Sequence, residues 1–168
     1  EYAAWYEKTK RAKPDGPRVL IDFADGWKIG STAATDAIIT AFEQKGWKTA
    51  AVFGRQKTAE YALEWKPDIL VTRTHGRWYQ GERGVELLAS QLDVPLLRGL
   101  QLFFSGEMLS DYRQSKAGIR GAGLAVGVIV PELDGAIEPT LLEGLDAEWY
   151  GKRYEAVLSD RIDRLTNR

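Results

Sequence analysis

The stretch "RVLIDFADGWKIGSTAATDAIITAFEQKG" (Arg18–Gly46) contains the unit from which the fold is built. Its first residues are apolar on both faces as far as Asp22, which is typical of a buried parallel strand. A loop follows, and Ser31 is a candidate cap for a helix that carries Ile38 on its apolar face. Gly46 is a suitable helix stop. The stretch therefore predicts a strand, a loop and a helix in that order.

The same order of strand and helix recurs along the chain with short connections. Further strands are predicted at 47–54, 67–73 and 94–104, and helices at 55–66, 84–93 and 105–118. Such alternation is typical of an α/β sheet with right-handed crossovers. We predict a flavodoxin-like, doubly wound and mostly parallel sheet with the strand order 2-1-3-4-5.

The two ends of the chain depart from this alternation. Residues 1–17 predict a short N-terminal helix and a linker that is broken by proline and glycine. Residues 124–143 contain two apolar runs around Asp134-Gly135, a dipeptide that favours tight turns, and predict an edge hairpin. The amphipathic pattern of 150–167 predicts a C-terminal helix. Residues 18–168 are thus expected to form one domain.

Composition excludes several classes of site. The 168 residues include no cysteine and one histidine, which excludes a disulfide scaffold, a thiolate zinc site and a cysteine nucleophile. A net charge of −1 does not favour nucleic acid or an anionic membrane as the main partner. The longest apolar run, 124–130, is too short to cross a bilayer. The absence of cysteine agrees with a reducing compartment, and we expect a cytoplasmic location.

Ligands of open α/β sheets bind at the carboxyl ends of the strands, near the point where the strand order reverses. In the predicted sheet, the loops after strands one and three lie there. The first loop offers Asp25, Trp27 and Ser31 ahead of a helix N-terminus, which favours anions. It has neither the GxGxxG spacing nor a P-loop, so a plain capped turn is the competing interpretation.

The second loop, "RTHGRWYQGERG" (Arg73–Gly84), is rich in polar and aromatic groups. Its candidate ligand-binding residues are Arg73, His75, Arg77, Trp78 and Glu82. Guanidinium groups form bidentate contacts with carboxylates, an indole offers a flat apolar surface, and an imidazole can approach a metal. In the competing interpretation, the histidine bonds to the backbone and the arginines are solvated and form ion pairs with Glu82 and Glu86. The aromatic residues then simply cover the edge of the sheet.

Several segments resemble one family. The most specific is "PELDGAIEP" (131–139), and the others are "EYAAWYEK" (1–8), "GSTAATDAIITAFEQKGWKTAAVFG" (30–54), "LDVPLLRGL" (92–100) and "LSDRIDRLTNR" (158–168). In this order and spacing they resemble the large subunit of the class I tetrapyrrole metal chelatases, which comprises the cobaltochelatase large subunit and its magnesium chelatase counterpart. The strand-three loop departs from the usual family pattern, so the resemblance leaves the metal and the macrocycle open.

The resemblance implies that the chain is one domain of a subunit several times longer. It implies a tetrapyrrole substrate, a divalent metal (cobalt or magnesium) and ATP in the full complex, with no cofactor bound by this domain alone. The implied partners are the rest of the large subunit, an AAA+ ATPase subunit and its partner subunit. Two alternatives remain: a stand-alone flavodoxin-like binding or docking module without catalysis, and a haem-demetallating relative of the chelatases.

Overall fold

The computed structural model describes residues 8, 15–23, 32–53, 55–73, 84–102, 109–119, 121–133, 135–149 and 152–167. Its strands are β1 (Arg18–Phe23), β2 (Lys48–Phe53), β3 (Ile69–Thr72), β4 (Leu96–Leu102), β5 (Ile137–Trp149) and β6 (Lys152–Val157). The helices of these parts are α1 (Ala33–Gln44), α2 (Arg55–Trp65), α3 (Gly84–Leu92), α4 (Leu109–Gln114), α5 (Gly121–Leu124), a π-helical turn (Ala125–Ile129), α6 (Val130–Leu133) and α7 (Ser159–Thr166).

The six strands form one sheet in the order β2-β1-β3-β4-β5-β6. The first five are parallel, and β6 pairs with β5 in the antiparallel direction. The predicted order 2-1-3-4-5 and the flavodoxin-like α/β class are therefore confirmed. Because β1 lies between β2 and β3, the strand order reverses at β1, and the carboxyl ends of β1 and β3 are neighbours.

Successive residues of the central strands pack on opposite faces of the sheet, as the strand geometry requires. Val19 and Ile21 join a core with Phe42 of α1 and Leu165 of α7. On the other face, Leu20 joins a core that also includes residues of α2 and α3. Covering both faces with helices explains why β1 is apolar at adjacent positions.

The predicted hairpin at 124–143 is wrong. Residues 121–133 are helical, and β5 starts only at Ile137 and runs parallel to β4. Gly135, at φ +93°, closes α6, and the Ala136 N–H donates to the Pro131 carbonyl at 2.9 Å. The glycine therefore ends a helix, because a left-handed residue suits a helix C-terminus as well as a hairpin turn.

Local packing explains why the apolar run before Gly135 is helical. A short apolar run does not distinguish a buried strand from a helix by periodicity. Gly127 lies close to the sheet, since a Cβ atom there would be 3.3 Å from Leu100 Cδ2. The π-helical turn ends at Ile129, two residues before Pro131. Proline has no backbone N–H, so it cannot donate an intrahelical hydrogen bond at this point.

The predicted helix at 150–167 is correct only in its second half. Residues 152–157 form β6, and α7 begins at Ser159. β6 supplies hydrogen-bonding partners to the outer edge of β5, which a helix cannot do. An antiparallel pair at the sheet edge is thus present, but β5 and β6 form it.

Two further expectations concern the start of the chain and the membrane. Of the predicted N-terminal helix, only Lys8 is described before residue 15, and it is helical. The division into 1–17 and 18–168 therefore stays a prediction. Within the described residues, no helix is long and apolar enough to span a bilayer.

Candidate functional site

The two predicted ligand loops start from adjacent strands. Asp22, near the end of β1, is in register with Thr72, the last residue of β3. Among the predicted site residues, only Arg73 belongs to the described part of the chain. The others lie outside the described residues, namely Asp25, Trp27, Ser31, His75, Arg77, Trp78 and Glu82. Topology therefore places the two loop starts together at the carboxyl edge.

The N-cap position of α1 belongs to Thr32. Its hydroxyl does not bond to a backbone N–H of the first turn and instead donates to Asp36 Oδ2 at 2.7 Å. Ser31, the predicted cap of this helix, lies outside the described residues. The first loop precedes α1 in the chain, and Thr35 in the first turn of this helix is buried.

Arg73 is buried at the start of the second loop, with 1% of its surface exposed. Its guanidinium donates to the Thr35 hydroxyl of α1 and to the Glu143 carboxylate of β5. Glu143 is completely buried. The side chain that the sequence offered as a ligand contact is therefore engaged inside the protein, where it ties the start of the second loop to α1 and β5.

The path from Arg73 to Glu143 passes over β4 at Gly99. A Cβ atom at position 99 would lie 2.6 Å from Leu142 Cδ1 and 3.3 Å from Arg73 Cγ. Any side chain at this position would therefore collide with Leu142 and crowd the stem of Arg73. A side chain at position 99 is therefore disfavoured by close packing across β4 and not by an unusual backbone angle.

A register shift in β5 brings Glu143 to this face. Leu100 of β4 is opposite Leu141, whereas the next residue, Gln101, is opposite Glu143. Leu142 is therefore the extra residue of a β-bulge, which changes the direction of the side chains that follow. Leu142 and Glu143 consequently both contact groups on the face covered by α1 and α7.

A second buried polar row lies on the opposite face. Asp22 of β1, Thr72 of β3 and Arg98 of β4 are in register with one another across the three strands. All three are at most 5% exposed. Asp22 accepts a hydrogen bond from Thr58 of α2 at 2.7 Å and one from Thr72 at 3.5 Å. The carboxyl edge is thus stabilised by polar side chains on both faces.

Most of these groups were not predicted from the sequence to be parts of the site. Their signal is a polar residue within an apolar strand, as with Asp22 in "VLIDF" and Arg98 in "PLLRGLQL". Such a residue is buried only when a partner satisfies it. Glu143 in "PTLLEGL" carries the same signal, but the local sequence does not identify its partner, which is 70 positions away. No group of acidic or histidine side chains able to hold a metal ion occurs among the described residues.

A cleft of about 650 Å³ opens at the other edge of the sheet, where β1, β2 and β3 begin. Its lining includes Arg18, Trp47, Lys66 and Asp68. The Arg18 backbone N–H donates to Asp68 Oδ2 at 2.8 Å. Helix C-termini, which disfavour anions, lie at this edge. We retain the carboxyl edge as the candidate site because ligands of open α/β sheets bind at the carboxyl ends of the strands.

Comparison with known proteins identifies the family. The model of the family described as CobN/Magnesium Chelatase matches residues 1–168, which is the whole chain. The chain belongs to this CobN/magnesium chelatase family. The resemblance predicted from "PELDGAIEP" and the accompanying segments is therefore confirmed. A comparison with curated proteins found no match.

A solved structure agrees with this assignment. The chain resembles the catalytic subunit of cobaltochelatase from Mycobacterium tuberculosis with a TM-score of 0.73 and 20% identity. The match covers 90% of this chain and 14% of that subunit. This identity supports the fold alone. The chain therefore spans about one seventh of the structurally similar subunit.

Two bacterial receiver domains show a weaker likeness. A signal receiver domain from Vibrio parahaemolyticus matches with a TM-score of 0.46 and 14% identity, covering 89% of this chain and 85% of that one. The response regulator domain of Thermotoga maritima CheB matches with 0.44 and 17%, covering 75% and 78%. Neither score carries an argument about this protein.

Proposed function

We propose that this CobN/magnesium chelatase domain contributes to the tetrapyrrole-binding cleft of a chelatase large subunit. The full subunit would insert a divalent metal, cobalt or magnesium, into the macrocycle. The observation that carries the proposal is the family match over the whole chain. The similar fold of a cobaltochelatase catalytic subunit supports it.

The proposed contact surface consists of the two loops that follow β1 and β3. Its support is the adjacency of these strands and the general position of ligands in such sheets. In this surface Arg77 would pair with the carboxylate side chains of the macrocycle, Trp78 would pack on its plane, and His75 would approach its centre. Further proposed contacts are Asp25, Trp27, Ser31 and Glu82.

Arg73 has a different part in this proposal. Its guanidinium already bonds to Thr35 and Glu143, and the side chain is buried. We assign it the task of holding the start of the second loop beside the first turn of α1. We propose that residues further along the loop contact the substrate.

The metal and the macrocycle are substrates in this scheme, and ATP is hydrolysed elsewhere. We propose that an AAA+ ATPase subunit and its partner subunit act together with the full large subunit in the cytoplasm. The sequence has no P-loop, which agrees with this division of labour. The 168-residue domain by itself is expected neither to hydrolyse ATP nor to insert metal.

The test is tetrapyrrole titration of the full-length large subunit carrying Arg77→Ala or His75→Ala. Losing one charge-assisted contact removes roughly 1.5–3 kcal/mol. We therefore expect Arg77→Ala to weaken binding by about ten- to a hundredfold. His75→Ala is expected to reduce metal insertion more than binding, because an imidazole acts near the metal.

The matched control is Arg164→Ala. Arg164 is exposed on α7, close to the end of that helix. This end lies at the amino edge of the sheet, where Lys45 Nζ donates to the Thr166 carbonyl at 2.7 Å. Its loss should leave binding unchanged. Unchanged binding and insertion in both loop variants would contradict the proposal and favour a docking role for the loop.

A further inference from the structure

Four large apolar side chains are exposed on the helical connection between β4 and β5 and at the start of β5. They are Leu124 (38% exposed), Ile129 (46%), Leu133 (75%) and Ile137 (46%). We refer to these four residues as the apolar stripe. Leu63 of α2, at 54%, is a large apolar residue exposed elsewhere in the described part of the chain. The apolar stripe is therefore a local concentration of exposed apolar surface.

The members of the apolar stripe on the connection are spaced by about one helical turn. Leu124 and Ile129 are five residues apart, which is the hydrogen-bond spacing of a π-helix. Ile129 and Leu133 are four apart, which is about one turn of an α-helix. Successive members of the stripe therefore lie about one helical turn apart along the connection, and Ile137 follows at the start of β5.

The opposite side of the same connection is packed against the sheet. Val128 contacts the core cluster that contains Leu100, Leu109 and Leu141. A Cβ atom at Gly127 would be 3.3 Å from Leu100 Cδ2, so the backbone lies close to β4. The segment is consequently held in place, and the outward position of the stripe follows from its docking.

The composition of the segment is that of a buried helix. Among residues 121–133, Glu132 is the single charged residue. A helix that is apolar all round is typically covered on every side in a larger protein. Contiguous exposed apolar patches of a few hundred Å² or more mark interaction surfaces. The stripe thus has the character of a surface that another part of a protein covers.

We propose that the apolar stripe docks against another domain of the same large-subunit polypeptide. The proposal rests on the proposed function, which places this chain in such a subunit. The chain corresponds to only 14% of the structurally similar subunit, so most of that polypeptide lies outside it. A tethered neighbour is present at high effective concentration, and permanent interfaces are poor in charge. A dissociating ATPase subunit would need a more polar surface.

The first test is hydroxyl-radical footprinting of the wild-type full-length subunit. Leu133 is expected to be oxidised slowly, at a rate close to that of the buried Leu70. Leu63 serves as an exposed leucine in the same sample. A rate at Leu133 comparable with that of an exposed leucine would overturn the proposal, because nothing would then cover the stripe.

The second test identifies what covers the stripe. The photo-cross-linking substitution Leu133→benzoylphenylalanine is introduced into the full-length subunit, and Leu63→benzoylphenylalanine is the control. We expect position 133 to cross-link to peptides of the same polypeptide outside these 168 residues. Isotopically light and heavy subunits are mixed, so a cross-link to a second copy is recognised by its mixed label.

Every other cross-linking result at position 133 would contradict the inference. Cross-links to a second copy, to an ATPase subunit or to residues within this domain would overturn it, as would the absence of any cross-link at position 133. None of these results depends on tetrapyrrole binding. Failure of the stripe proposal is therefore distinguishable from failure of the proposed function, which the loop variants test.

Discussion

The guanidinium of Arg73 bonds to the carboxylate of Glu143, although the two residues are 70 positions apart in the chain. The contact joins the end of β3 to β5 across Gly99 of β4. Its third member, the Thr35 hydroxyl, lies in the first turn of α1. One buried side chain thereby connects the end of β3 to β5 and to α1 at the edge where both candidate ligand loops begin.

The first prediction concerns this buried ion pair. Glu143→Ala removes the carboxylate and leaves a buried guanidinium, which typically lowers the free energy of unfolding by about 3–5 kcal/mol. Replacing both partners, as Arg73→Met with Glu143→Leu, should restore much of the loss, because no buried charge remains. Urea denaturation followed by circular dichroism measures the change.

The control for the ion pair is Arg161→Ala. This variant removes a solvent-exposed contact, in which Arg161 Nε is 3.2 Å from Asp160 Oδ2. Exposed pairs contribute about 0–1 kcal/mol. A loss below about 1 kcal/mol in Glu143→Ala as well would show that the buried pair does not hold the carboxyl edge together.

The second prediction concerns Gly99. Gly99→Ala places a methyl group where Leu142 Cδ1 lies, at 2.6 Å, and overpacking of this kind costs about 1–3 kcal/mol. Leu142→Ala removes the colliding atoms, so the effect of the alanine at position 99 should shrink in that background. Thermal denaturation of the two single variants and the double variant measures the coupling. Additive effects would contradict the proposed collision.

The third prediction concerns Thr58, whose hydroxyl donates to the buried Asp22 carboxylate at 2.7 Å. Thr58→Val keeps the shape of the side chain but removes this donor, which should cost about 1–3 kcal/mol. Thr40→Val is the matched control, because the exposed Thr40 hydroxyl donates only to the Asp36 carbonyl of its own helix. If Thr58→Val and Thr40→Val lower the free energy of unfolding equally in urea denaturation, the buried hydrogen bond to Asp22 contributes no more than the exposed one.

The fourth prediction concerns the hydroxyl of Tyr61, which has no hydrogen-bond partner among the described residues. Burial raises the pKa of Tyr61 above its ordinary value, and the nearby Glu64 carboxylate raises it further. Glu64→Gln should therefore lower the pKa, but only in part, because burial remains. Ultraviolet titration of the phenolate measures this change. An unchanged pKa in Glu64→Gln would exclude the charge as a cause.

The same shift has a consequence for stability at high pH. The folded-state pKa of Tyr61 is higher than the unfolded-state value of about 10. The contribution of this group to stability is thus fully present below about pH 10 and is lost as the pH rises through the folded-state pKa. Tyr61→Phe should remove this component from a series of urea denaturations at increasing pH. An identical pH dependence in the variant would contradict the assignment.

The sequence by itself determined the α/β class, the parallel order of the first five strands and the family. Strands such as Arg18–Phe23 are apolar at adjacent positions, and the helix Ala33–Gln44 has one apolar face, so these elements were predictable from local periodicity. The alternation and the handedness of the crossovers limit the sheet to doubly wound orders, and the flavodoxin-like number of strand–helix units favoured 2-1-3-4-5 among them. The adjacency of the strand ends from which the two loops start follows from the same topology.

The tertiary structure alone decided the roles of Arg73, Glu143 and the segment before β5. Whether an arginine is buried depends on a partner that local sequence does not specify, and here that partner is 70 positions away and is brought into reach by a bulge. Residues 124–130 lacked a periodicity that separates strand from helix, and packing of Val128 and Gly127 on the sheet made them helical. Likewise, residues 152–157 form a strand because the outer edge of β5 provides a partner for its hydrogen bonds.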